Sequence, residues 1–164
     1  MNPTMPLKDL MQVLDVIESI GCRYWLEGGW GIDALVGQQT RDHQDVDVDF
    51  DASREDELIA ALEDLGYHER LDERPTRLEL EASDGRVVDL HPLQLDPSGD
   101  ARQQAPDGTW WHFRSEWFTT GQLENRTVPC YTAEGQRYFH SGYQLRGVDL
   151  HDLATLHRHS GPAG

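Results

Sequence analysis

The stretch Gly28-Gly29-Trp30-Gly31-Ile32-Asp33, followed by Asp45-Val46-Asp47-Val48-Asp49-Phe50, decides the fold of this chain. The glycine pair stands between a predicted strand and a short predicted helix, where glycine allows backbone angles that other residues avoid. Successive side chains of a strand point to opposite faces, so the three aspartates share one face. Acids roughly 6–7 Å apart on one face repel each other unless a cation lies between them. The pattern therefore indicates either a divalent metal or an edge strand whose acidic face is exposed to solvent. If a metal is bound, the glycines predict that it accompanies a nucleotide phosphate.

Composition limits the class of protein. A chain of 164 residues is long enough for one domain with a substantial core. Apolar runs stay well short of the roughly 18–20 residues of a membrane span, and the N-terminus lacks a signal pattern. We therefore expect a cytoplasmic protein without a membrane partner. The formal charge of −16 argues against a nucleic-acid partner, because phosphates demand clustered lysine and arginine.

Charge and aromatic residues are distributed unevenly along the chain. Residues 1–100 hold 24 acids against 8 bases, whereas residues 101–164 hold 6 of each. Nine of the fourteen aromatic residues follow residue 100. The first part is typical of a metal-charged catalytic unit. The second part predicts either plain core or a region that holds a partly apolar ligand.

Periodicity predicts a mixed order of helices and strands. Apolar residues at helical spacing predict a first helix over residues 7–20 and another after Ser53. A turn at Ser83-Asp84-Gly85 separates two alternating runs, which is typical of a β-hairpin. Further helices are predicted around residues 132–140 and 149–159. The order lacks a regular βαβ rhythm, so we predict an α/β (α+β) fold with a mixed, twisted sheet flanked by helices.

Several other residues have the chemistry of a site. Asp89 lies between Val88 and Leu90, an apolar setting in which a carboxylate needs a partner or a function. His91, two residues on, shares its face. Arg41 and His43 supply cationic and donor groups just before the acidic strand. For each residue alone, a solvated or hydrogen-bonded structural role is the competing interpretation.

Taken together, these motifs resemble the small antibiotic nucleotidyltransferases of the polymerase-β-like superfamily. The segments that carry the resemblance are Gly28–Asp33, Thr40–Asp47, Val88–Pro92, Trp117-Phe118, Val128-Pro129-Cys130 and Phe139–Tyr143. Over roughly residues 5–157 they look like the lincosamide nucleotidyltransferases of the short, single-domain type. The related aminoglycoside 2''-O-nucleotidyltransferases share the first motifs and the third acid, but look less similar after residue 92.

The resemblance implies the polymerase-β-like fold and transfer of a nucleoside monophosphate from a magnesium nucleoside triphosphate, ATP or another, to a drug hydroxyl. It implies that Asp45, Asp47 and Asp89 are catalytic and hold one or two Mg²⁺, with Asp89 either taking the hydroxyl proton or binding the second metal. Asp49 is expected to support the site without coordinating. Nucleotide binding is expected at Gly28, Gly29, Trp30, Asp33, Thr40, Arg41 and His43. Acceptor binding is expected at His91, Trp110, Trp111, Trp117 and Tyr143.

Residues 1–95 are expected to form the nucleotidyltransferase core, and residues 96–164 an acceptor-binding extension of the same compact unit. The balanced charge and aromatic residues of that extension favour a monocationic, partly apolar lincosamide over a polycationic aminoglycoside. The acidic first hundred residues keep the aminoglycoside as an alternative. A third interpretation is a nucleotidyltransferase-like nucleotide-binding protein with a protein partner. In this superfamily a second subunit can complete the site, which makes a homodimer plausible.

Overall fold

The computed structural model describes residues 4–139 and 147–160 of the chain. It contains five α-helices and nine β-strands in these ranges. The helices are α1 (Leu7–Ser19), α2 (Gly28–Val36), α3 (Glu55–Asp64), α4 (Ala133–Phe139) and α5 (Gly147–Ser160). The strands are β1 (Tyr24–Glu27), β2 (Asp45–Asp51), β3 (His68–Glu73), β4 (Arg77–Glu81), β5 (Val87–Leu95), β6 (Ala101–Gln104), β7 (Trp110–Phe113), β8 (Phe118–Leu123) and β9 (Arg126–Tyr131).

The strands form one mixed sheet in the order β3-β4-β5-β2-β1-β9-β8, with β6 and β7 extending from β5. The β2–β5 and β1–β9 pairs are parallel, and the other strand pairs are antiparallel. The predicted mixed sheet with flanking helices is confirmed. The pairing of β9 with β1 joins the last third of the chain to the same sheet as the glycine turn.

Two apolar clusters hold the sheet and helices together. The larger one lies between the sheet and the helices, and includes the buried stripe of α1 formed by Leu10, Val13, Leu14 and Ile17. These spacings of three and four residues confirm the amphipathic first helix. The smaller cluster lies near β6 and β7 and is built around Phe113, Trp117 and Tyr131. Burial of apolar strand residues in these two clusters fixes the strand register, and the register positions the acidic residues.

Strands β3, β6, β8 and β9 were not predicted from the sequence. Strand β3 is exposed along its whole length and is rich in charge, so it lacks the alternating pattern that marks a half-buried strand. Strand β9 contains Pro129, which cannot donate to a ladder hydrogen bond. It nevertheless pairs on both sides, because its buried residues Val128, Cys130 and Tyr131 pack into the two clusters.

None of the helices in the described ranges is both long and apolar enough to span a membrane.

Candidate active site

Strand register gathers the acidic residues on one face of the sheet. Asp47 on β2 lies beside Asp89 on β5, and Asp49 lies beside His91. Partners that face each other across neighbouring strands point to the same side, so the acids of both strands form one surface. Asp45, two residues before Asp47, shares this face. The structure thus brings together the three aspartates that the sequence predicted to be catalytic.

His91 lies at the centre of these acids. Its Nε2 is 3.4 Å from Asp47 Oδ1 and 3.6 Å from Asp89 Oδ1. Burial alone would lower the pKa of His91, but the contact with Asp47 and the negative charges of Asp89, Glu27 and Asp49 raise it well above its usual value. His91 therefore adds positive charge next to these acids.

Burial makes the charged forms of these acids costly. It raises the pKa of Asp47 to about 6, with Asp89 raising it further and His91 opposing the shift. Burial also raises the pKa of Asp89. The Oδ1 atom of Asp89 is buried and has no hydrogen-bond partner among the described residues. Carboxylate oxygens are the ligands that Mg²⁺ prefers, and Asp89 offers one that makes no hydrogen bond, so these residues fit the predicted metal.

Arg77 is a site residue that the sequence analysis missed. Its Nη1 donates to Asp89 Oδ2 at 3.1 Å and to Glu79 Oε1 at 2.8 Å. Glu79 lies opposite Asp89 across the β4–β5 pair. The guanidinium therefore holds one oxygen of Asp89 in place while its other oxygen faces His91. The alternation of the hairpin would have placed Arg77 on the same face as Glu79, but its contact with Asp89 depends on a register that sequence does not reveal.

The glycine turn approaches the acids closely. Gly28 has a φ of 65°, which lies in the left-handed region, and a Cβ at this position would overlap the Asp47 carboxylate. A Cβ at Gly29 would lie 2.5 Å from Arg41 and His43 side-chain atoms. Glycine at both positions lets the start of α2 lie directly against the acidic face. This backbone has the form that the predicted phosphate contact requires.

Asp33 of α2 fixes the loop between α2 and β2 through hydrogen bonds. This wholly buried carboxylate accepts hydrogen bonds from Thr40 N at 2.9 Å and Thr40 Oγ1 at 2.5 Å. It also lies 2.6 Å from His43 Nε2. Neither Asp33 nor Thr40 lines the cleft over the acids, whereas His43 does. Asp33 and Thr40 thus position the loop, and their predicted contact with nucleotide stays a prediction.

Trp30 also lies beneath the loop. Its side chain is 1% exposed, its Nε1 donates to the carbonyl of Met5, and its ring packs against His43 at 4.4 Å between centroids. The buried Trp30 side chain does not line the cleft over the acids, and its predicted contact with nucleotide stays a prediction. Its apolar volume anchors α2 behind the glycine turn.

Arg41 lines the cleft but has a partner. Its Nε and Nη2 each donate to the Asp152 carboxylate on α5 at 3.0 Å. Thr40 Oγ1 lies 3.1 Å from His151 Nε2 on the same helix. Helix α5 thus contacts this loop, and the Arg41–Asp152 pair joins residues that are 111 positions apart in sequence. Arg41 faces the cleft as predicted, but its charge is already balanced by Asp152.

Two clefts meet at this face of the sheet. The first, of about 910 Å³, lies over the acids and is lined by the glycine turn, the loop residues Arg41 and His43, and the start of α5. The second, of about 970 Å³, lies between the β3–β4 turn, the β6–β7 hairpin and α4. The residues that line both clefts are Glu27, Arg77, His91 and Phe139. We call the first cleft the nucleotide cleft and the second cleft the aromatic cleft.

The predicted acceptor-binding aromatic residues separate into different environments. Trp111 lines the aromatic cleft and is 41% exposed. Trp110, on the other face of β7, packs against the guanidinium of Arg102 at 4.7 Å and does not line the cleft. Trp117 is buried in the smaller apolar cluster and does not line the cleft either. Tyr143 lies outside the described residues. Tyr138 and Phe139 of α4 line the cleft and were not predicted to do so.

A glycine turn, two aspartates on one strand and a third on its neighbour in a mixed sheet define a nucleotidyltransferase of the polymerase-β-like class. The chain belongs to the aminoglycoside-2''-adenylyltransferase family, whose sequence profile matches residues 9–156.

Known relatives place the chain more closely within that family. A lincosamide resistance protein of Staphylococcus haemolyticus is 39% identical over 155 residues, which cover 94% of this chain and 96% of the relative. The crystal structure of a lincomycin-bound lincosamide antibiotic adenylyltransferase has 38% identity and a TM-score of 0.87, covering 97% of this chain and 99% of that one. A 2''-aminoglycoside nucleotidyltransferase of Klebsiella pneumoniae is 42% identical over 55 residues, 34% of this chain and 31% of the relative. The predicted resemblance is therefore confirmed.

Proposed function

We propose that this enzyme inactivates lincosamide antibiotics by moving AMP from magnesium ATP to a hydroxyl of the drug, with release of pyrophosphate. The observation that carries the proposal is the meeting of the two clefts. The three aspartates lie in the nucleotide cleft, and the aromatic cleft opens beside them through residues common to both. The close similarity to a lincomycin-bound adenylyltransferase supports the same acceptor class.

The chain's own residues account for binding and orientation. Asp45, Asp47 and Asp89 would hold one or two Mg²⁺, which when bound neutralise the triphosphate and polarise its α-phosphorus. Gly28 and Gly29 allow the backbone N–H groups at the start of α2 to approach the phosphates. Asp89 either accepts the proton of the acceptor hydroxyl or helps to hold the metal that makes the hydroxyl acidic.

The charges around the aromatic cleft favour a lincosamide over an aminoglycoside. The acids that line it are Glu27 and Glu73, and the cationic groups Arg74, Arg77 and His91 lie beside them. An aminoglycoside with several ammonium groups would face three cationic groups and only two acids there. A monocationic drug with an apolar half instead matches the apolar surface of Trp111, Phe113, Tyr138 and Phe139. The aromatic lining comes from β7 and α4, which supports acceptor binding by residues 96–164.

A mass-shift assay tests the function directly. Purified protein is incubated with Mg²⁺, each of the four nucleoside triphosphates in turn, and lincomycin, clindamycin, kanamycin or tobramycin. We expect the mass of AMP to be added to lincomycin and clindamycin. Modification of kanamycin or tobramycin with neither lincosamide changed would replace the acceptor by an aminoglycoside. Failure to modify any of the four drugs would favour the nucleotide-binding protein with a protein partner.

Magnesium should stabilise the protein more at neutral than at acidic pH. Because the pKa of Asp47 is about 6 in the metal-free protein, most molecules carry a proton on Asp47 at lower pH, and a metal must displace it. Above that pKa the carboxylate is ionised, so it repels its neighbours and binds metal readily. We expect saturating MgCl₂ to raise Tm more at about pH 7.5 than at about pH 5. Thermal unfolding at both pH values measures this, and equal shifts would contradict a metal site that contains Asp47.

We further propose that the protein acts in the cytoplasm, where its nucleotide co-substrate is found.

A further inference from the structure

Glu27, the last residue of β1, lies where the two clefts meet. Its antiparallel partner on β2 is Asp47, so the two side chains emerge next to each other on the acidic face. Glu27 also directly precedes the glycine turn, and it lines both the nucleotide cleft and the aromatic cleft. A hydroxyl that moves from the aromatic cleft to the three aspartates therefore passes the Glu27 carboxylate.

The residues common to both clefts differ in what they offer a ligand. Arg77 and His91 offer hydrogen-bond donors and positive charge, and Phe139 offers an apolar ring. Glu27 is the single carboxylate of the four. The oxygen atoms of a carboxylate accept hydrogen bonds, so they complement a group that must donate. Sugar-like acceptors present hydroxyls next to the reacting one, and burying such a hydroxyl without an acceptor is costly.

The neighbours of Glu27 restrict where its carboxylate lies. Oxygen or nitrogen atoms of Glu27, Asp49 and His91 all lie within 4.8 Å of one another. Asp49 is wholly buried and receives the Tyr131 hydroxyl at 2.5 Å, which anchors this acid to β9. Glu27 is only partly buried, so of the two acids in this group it is the one that a ligand in the clefts contacts.

We propose that Glu27 binds the acceptor and determines which of its hydroxyls is modified. Its carboxylate accepts a hydrogen bond from the hydroxyl adjacent to the reacting one, and thereby turns the reacting hydroxyl toward the α-phosphorus beside Asp47 and Asp89. This inference rests on the proposed function. It makes Glu27 a substrate-contacting specificity residue that has no part in nucleotide binding.

The test combines variants of Glu27 with a change in the acceptor. Glu27→Ala and Glu27→Gln are assayed with lincomycin and with an analogue that lacks the hydroxyl adjacent to the modified one. We expect Glu27→Ala to raise KM for lincomycin about 10-fold to 100-fold, the range for loss of a hydrogen bond to a charged group. KM for ATP should stay within about twofold, and Glu27→Gln should be intermediate because its amide oxygen still accepts. For the wild type, KM for the analogue should exceed KM for lincomycin by a similar factor. For Glu27→Ala the two KM values should differ little, because the interaction is already lost.

Glu63→Ala provides the matched control. This exposed residue of α3 lies outside both clefts, so its loss removes the same charge without touching the acceptor. An unchanged KM for lincomycin in Glu27→Ala overturns the inference, and an equal rise in both KM values assigns Glu27 to nucleotide or metal binding instead. Both results leave the proposed function standing as long as the wild type modifies lincomycin. A wild type that leaves lincomycin unmodified overturns the proposed function and this inference together.

Discussion

Asp47→Asn is expected to lower the rate of nucleotidyl transfer by at least about 10²-fold, a conservative figure for loss of a metal ligand. The side chain lies at the centre of the site, beside Asp89 across the β2–β5 pair and in contact with His91. Asparagine keeps its volume but loses its charge and one of its two acceptor oxygens. Steady-state rates at saturating ATP and lincomycin measure the effect.

Stability should move in the opposite direction to activity in this variant. Burial and the neighbouring acid raise the pKa of Asp47, so its ionised form is less favourable in the folded protein than in the unfolded chain above about pH 6. Replacing it with a neutral residue removes that cost, and Tm of the metal-free variant should equal or exceed that of the wild type. Asp64→Asn, on the exposed end of α3, should change neither quantity. Near-normal turnover of Asp47→Asn would show that the metal site is wrongly assigned.

The acidic face could be predicted from sequence because its information is local. Strand alternation alone places Asp45, Asp47 and Asp49 on one side, and the apolar neighbours of Asp89 indicate a carboxylate that needs a partner or a function. Which acids meet is set by pairing between strands that are about forty residues apart in sequence. The resemblance to a known family supplied that pairing, and the structure places Asp47 beside Asp89 accordingly.

The residues that sequence analysis missed owe their positions to longer-range contacts. In the sequence Glu27 is only the last residue of a short strand, and the pairing of β1 with β2 places it beside Asp47. The partner of Arg41 lies on α5, and only the folded structure shows that Asp152 accepts hydrogen bonds from the guanidinium that was expected to bind nucleotide. Trp117 lies in an apolar cluster, and sequence did not reveal this because an aromatic residue in a core has the same sequence pattern as one in a cleft.

Asp33→Ala is expected to lower stability by about 3–5 kcal/mol, the cost of removing one member of a buried charged or hydrogen-bonded group. The wholly buried carboxylate serves the backbone N–H and hydroxyl of Thr40 and the ring of His43. In the variant a methyl group replaces the carboxylate, so the polar groups of Thr40 and His43 lose their hydrogen-bond acceptor. For a protein of this size Tm should fall by roughly 10 °C, measured by calorimetry.

The same substitution separates positioning of the loop from direct substrate contact. The loop that carries Arg41 and His43 into the nucleotide cleft is fixed by Asp33, although Asp33 itself does not line that cleft. At a temperature where both proteins are folded, KM for ATP should therefore rise while KM for lincomycin stays close to the wild-type value. Asp33→Asn should be milder in both respects, because its amide oxygen can still accept from Thr40. An unchanged Tm in Asp33→Ala would contradict the role assigned to this carboxylate. A lower Tm with unchanged KM for ATP would show that the loop keeps its shape without it.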